Sequence, residues 1–65
     1  MKAITVRDDG ADLDITLDEL IVIRNSLNQV LSIVNQADLH AKTGFHPQEI
    51  KTILNSVEQI INELQ

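Results

Sequence analysis

Residues 16–35, TLDELIVIRNSLNQVLSIVN, decide how this chain folds. Thr16 and Glu19 stand at capping-box spacing, with the Thr16 hydroxyl as N-cap and Glu19 reaching back from the third helical position. Asp18 adds a favourable charge at the positive end of the dipole. A helix over 17–35 is predicted. Leu20, Ile23, Leu27, Val30 and Val34 recur at alternating spacings of three and four, which is the seam of a helix packed on a helix. Leu17, Ile21 and Leu31 widen the seam on one side, Val22 and Ile33 on the other. At about 100° per residue, the apolar arc exceeds half the circumference. Asp18, Asn25, Asn28, Gln29 and Ser32 are left as the polar strip. A helix this apolar has to be central.

Working outward toward the C-terminus, residues 47–64 carry a single stripe of Ile50, Ile53, Leu54, Val57, Ile60, Ile61 and Leu64, with polar residues on the other side. This second long helix covers something. Between the two helices, DLHAKTGFHPQEI (38–50) holds both histidines, the sole phenylalanine and the sole proline. Pro47 suits the first helical position, where an N–H has no intrahelical acceptor. His46 is then the N-cap, Glu49 the capping acid, and Phe45 and Ile50 the two halves of a hydrophobic staple. Gly44 suits the left-handed residue that closes a short helical turn over 37–43.

Toward the N-terminus, residues 2–16 (KAITVRDDGADLDIT) read as a β-hairpin with Asp9-Gly10 as a type I′ turn. That register pairs Arg7 with Asp12, Val6 with Leu13 and Ile4 with Ile15, so one face is apolar and the other carries charge. A lone hairpin is marginal in water, so its apolar face is expected to lie on the helices. The fold class is therefore α+β: an N-terminal β-hairpin followed by an antiparallel pair of long helices (ββαα), in a single domain over 1–65 that dimerises into a four-helix centre.

Size explains the dimer. With 65 residues the core is near the lower limit for independent stability. The absence of cysteine removes disulfides and thiolate metal sites as staples, which leaves oligomerisation. Helix two and the hairpin cannot cover all of helix one, and soluble monomers rarely leave such a patch bare. The expected dimer interface is Leu17, Leu20, Ile21, Val22, Ile23, Leu27, Val30, Leu31, Ile33 and Val34.

Charge narrows the function. Ten acidic residues against five basic ones give a formal charge of −5, which discourages phosphate backbones and anionic lipid and favours basic proteins. Acids gather in turns and helix starts for structural reasons, but Asp12 and Asp14 together on the outer hairpin face suggest a docking surface for such a partner. No run approaches the roughly 18 apolar residues of a membrane span. The segment after Met1 is too polar for a signal peptide, so a cytoplasmic setting is expected.

Residues 38–50 admit three chemical readings. Asp38, His40, His46 and Glu49 are metal-ligand types, but His40 and His46 are not at helical i, i+3 or i+4 spacing. A histidine–carboxylate general base, His40 with Asp38 or His46 with Glu49, lacks a nucleophile, because Ser26, Ser32 and Ser56 sit on helical polar strips. Residues 41–55 (AKTGFHPQEIKTILN) resemble the turn and recognition helix of helix-turn-helix DNA-binding proteins. That resemblance implies that Gln48, Lys51, Thr52 and Asn55 face the major groove, with Lys42 and Lys51 as the nearby positive charges. The function expected first is non-enzymatic, with no cofactor and no metal. It is a self-associating protein-interaction module whose acidic surface meets a basic partner, as an inhibitor or immunity-type protein does; the helix-turn-helix reading is the alternative.

Overall fold

A computed structural model describes residues 1–65, the side chain of Gln36 excepted. The order of elements is β1 (Lys2–Arg7), β2 (Gly10–Asp14), α1 (Leu17–Ile33), α2 (Gln36–Thr43) and α3 (Pro47–Leu64). An antiparallel two-stranded sheet is thus followed by helices, an α+β arrangement. The helices number three rather than two with a connecting turn.

The hairpin turns one residue earlier than the sequence suggests. Asp8 and Asp9 form the turn and Arg7 faces Gly10, so Val6 pairs with Ala11 and Thr5 with Asp12. Gly10 is not left-handed, and no non-glycine residue has a positive φ, so this is not the type I′ turn expected at Asp9-Gly10. The Arg7 guanidinium closes the hairpin instead, bonding Asp12 at 2.5 Å and lying 3.7 Å from Asp9. A two-residue displacement leaves the facing of every side chain near the turn unchanged, because strand side chains alternate with period two. Between Ala3 and Thr5 the register then shifts at a bulge, and Ala3 pairs with Leu13 and Lys2 with Asp14.

Helix α1 starts as its capping box dictates. The Glu19 N–H donates to Thr16 Oγ1 and the Thr16 N–H donates to Glu19 Oε1, both at 3.1 Å. It ends at Ile33 rather than Asn35 because Val34 turns extended and Asn35 starts the next helix, its Oδ1 accepting the Ala37 N–H at 2.9 Å. Helix α2 closes on Gly44, left-handed at φ 79°, as the glycine's position implied. Pro47 opens α3, and the His46 N–H donates to Glu49 Oε1 at 3.1 Å.

The core is small. Leu20 of α1, Leu39 of α2, and Ile50, Leu54 and Ile61 of α3 are the buried apolar side chains. Helix α1 packs along α3, and α2 touches both. Among the described residues, neither strand packs on any helix, which overturns the expectation that the hairpin's apolar face lies on them. The reason is local: only Ile15 and Thr16 join β2 to α1, and Thr16 is locked in an extended conformation by its capping box. The Met1 ammonium also pairs with Glu19, tethering the start of β1 to the first turn of α1. The hairpin therefore projects from the helix end.

Candidate interaction surface

Cross-strand partners share a face, which sorts the hairpin cleanly. Ala3, Val6, Ala11 and Leu13 share one side, and Lys2, Thr5, Arg7, Asp12 and Asp14 share the other. The bulge permits this, since Ala3 and Val6 are an odd number of residues apart and face the same way only if an extra residue intervenes. Every residue of both strands is exposed, with Val6 75% and Ile4 70% accessible. An apolar strand face thus stands bare.

The acidic side is more balanced than composition implies. Asp12 is engaged by Arg7, and Asp14 stands opposite Lys2. Of the two proposed partner-binding acids, neither is isolated from positive charge. Asp8 and Asp9 occupy the tip, where Arg7 reaches Asp9 only at 3.7 Å. The Glu19 carboxyl is held below its ordinary value, first by the Met1 ammonium and then by the Thr16 N–H.

The expected interface residues of α1 separate into three groups. Leu20 is buried within the chain; Leu17, Ile21, Ile23, Leu27, Val30, Leu31 and Val34 are half-buried. Val22 and Ile33, 64% and 75% accessible, lie together on the side of α1 facing away from Leu20. On α3 the single stripe is wider than its contact with α1 covers. Ile50, Leu54 and Ile61 turn inward, while Ile53, Ile60 and Leu64 form an exposed edge at i, i+7 and i+11. Sequence reasoning assigned that whole stripe to one contact; its arc, spanning both sets of residues, was the available signal. Leu39, nearly inaccessible, was missed because α2 carries too few apolar residues to show a period.

Residues 38–50 come together around a ring stack. His40 and His46 lie with centroids 4.1 Å apart and planes 1° from parallel. Ring-plane lone pairs on two parallel imidazoles do not converge on one ion about 2.0 Å from each nitrogen. Among the described residues, no three His, Cys, Asp or Glu side chains cluster at metal-binding range, and there is no enclosed cavity. Gln48, Lys51, Thr52 and Asn55 are all exposed on α3, following a short helix and a glycine turn. Glu49 and Glu58 lie on the same helix. No helix is long and apolar enough to cross a membrane.

No family model matches this chain, and no curated protein or solved structure shows a significant match to it.

Proposed function

We propose that this chain is a cytoplasmic, non-enzymatic protein-interaction module that works as a homodimer and offers an acidic surface to a basic protein, an inhibitor or immunity-type role being one form. The observation that carries the reading is surface area. The chain leaves 4996 Å² accessible at a mass of 7.3 kDa, whereas a compact monomer of that mass leaves about 4,200 Å². The excess of roughly 800 Å² is about what each partner contributes to a standard-sized interface. Shape agrees. The radius of gyration is 13.2 Å, against about 11 Å for a compact chain of this length. The thinnest dimension, 15 Å, fits a single layer of elements where domains ordinarily stack two.

A second copy supplies the second layer. With α3 running back along α1, the angular positions put Ile53, Ile60 and Leu64 on the same broad side as the half-buried Ile23, Val30 and Val34. Asn25, Asn28, Ser32, Lys51, Asn55 and Asn62 fall on the opposite side. Two apolar sides meeting across a twofold axis give the four-helix centre. Sedimentation or light scattering at micromolar concentration tests the reading. A dimer mass and a melting temperature that rises with concentration are expected; a monomer whose melting temperature ignores concentration overturns it.

The nucleic-acid alternative draws on the α2–Gly44–α3 arrangement and the exposure of Gln48, Lys51, Thr52 and Asn55. A formal charge of −5 weighs against it. A DNA probe retarded at low salt by the wild type and released by Lys51→Glu favours this alternative.

A further inference from the structure

We infer that the dimer is hairpin-exchanged: each copy lays the apolar face of its hairpin, Val6 and Leu13 foremost, on the Ile53–Ile60–Leu64 edge of its partner's α3. The inference rests on the self-association proposed above and says which surfaces meet.

The first ground is reach. The hairpin is joined to α1 through Ile15 and the capped, extended Thr16, and is tethered by Met1 to Glu19. The capped, extended Thr16 and the Met1–Glu19 pair fix it at the helix end, where neither strand touches a helix, which leaves its apolar face open to another molecule. A short, fixed hinge that projects an element away from its own chain is the arrangement from which exchange between identical copies arises.

The second ground is charge at the strand edges. A closed twofold dimer could instead pair like edges, β1 with β1 or β2 with β2. Antiparallel pairing of two β2 strands brings Asp12 against Asp12 or Asp14 of the other copy, and pairing of two β1 strands sets Lys2 against Arg7. Both place like charges across a ladder. The bulge between Ala3 and Thr5 further spoils β1 as a template. Face-on docking avoids these repulsions, because the charged side of the hairpin then stays in water.

The third ground is fit. From Ile53 to Leu64 the α3 edge runs about 16 Å at 1.5 Å per residue. Strands of this length run about 17–20 Å, and two strands side by side are about as wide as one helix. Among the described residues, the hairpin face and the α3 edge are each apolar, exposed and without a cover. In a twofold dimer the contact occurs twice and flanks a centre in which the two α1 strips around Ile23 and Val30 meet, so the α3 edges border the four-helix centre rather than fill it.

The chain has no cysteine, so covalent trapping reports the contact directly. Val6→Cys protein is mixed under mild oxidation with Ile53→Cys, Ile60→Cys or Leu64→Cys protein in turn, and the disulfide products are weighed by mass spectrometry. A mixed disulfide as the main covalent product is expected for at least one pair, and its loss when Thr5→Cys, on the charged face, replaces Val6→Cys. A product dominated by two Val6→Cys chains, or by two α3 variants, overturns the exchange. So does the absence of any disulfide in samples that light scattering shows to be dimeric, an outcome that leaves self-association standing. Samples that scatter as monomers remove both.

Discussion

His40 and His46 stack face to face across the Gly44 turn, linking the last turn of α2 to the residue that caps α3. Between these rings the chain reverses, so the stack holds the angle at which α3 leaves α2. Aromatic pairs contribute about 0.5–1.5 kcal/mol beyond the area they bury, with exposed pairs at the lower end. His40→Ala and His46→Ala should each destabilise the fold modestly. The double variant should lose less than the two losses added, by about 0.5 kcal/mol. Urea unfolding of the four proteins at fixed concentration measures that coupling, and strict additivity contradicts the stack.

Glycine positions give a contrast within one chain. Gly44 is left-handed at φ 79° with open space around it, so Gly44→Ala should cost about 1 kcal/mol through backbone strain alone. Gly10 has no left-handed conformation, and an added Cβ would meet only the flexible end of Arg7, at 3.3 Å. Gly10→Ala should therefore be tolerated. Thermal unfolding of the two variants side by side decides whether the turn sits at Asp8–Asp9, because a type I′ turn at Asp9-Gly10 would make both costly.

Much of the helical part was legible because it is written in short-range chemistry. The Thr16–Glu19 box, Gly44 and Pro47 each mark an end that depends on a handful of neighbouring atoms, and each end falls where those atoms place it. The end of α1 was harder to read, since Asn35 continues a helical pattern and caps a new helix equally well. Hairpin register failed for a different reason. Registers two residues apart give the same inward and outward sorting, so the pattern of Val6 and Leu13 cannot choose between them. Where the hairpin lies is a property of distance and hinge angle, which periodicity does not encode. For that reason, the bare apolar face of the hairpin was not legible in the sequence.

Glu19 links the hairpin to the helix through a titratable group. Its carboxyl takes a bond from the Met1 ammonium and another from the Thr16 N–H, and both lower its pKa from the ordinary 4.5. A depressed folded-state pKa contributes stability that is fully present above the unfolded value and is lost as pH falls through the folded one. The wild type should thus lose stability on acidification below about pH 4.5, and Glu19→Gln should flatten that part of the profile. Melting temperatures of both proteins from pH 6 downward test this. Parallel profiles would mean that Glu19 carries none of the acid sensitivity.

Two sides of the helical layer expose large apolar residues, and only one is assigned to the dimer. Ile60 lies on the α3 edge, whereas Val22 lies on the face of α1 turned away from Leu20. Val22 is 64% and Ile60 43% accessible in the single chain, so a charge at either position disturbs little packing within it. In the exchanged dimer proposed above, Ile60→Glu places that charge under the partner's hairpin, where it loses solvation without gaining a counter-charge. It should shift the dimer toward monomer by tenfold or more, and the concentration dependence of melting should fall away with it. Val22→Glu should leave the dissociation constant nearly unchanged. Sedimentation of the two variants separates the faces: a reversed result, with Val22→Glu dissociating the dimer and Ile60→Glu intact, moves the interface to the Val22–Ile33 side of α1 and returns the α3 edge to another partner.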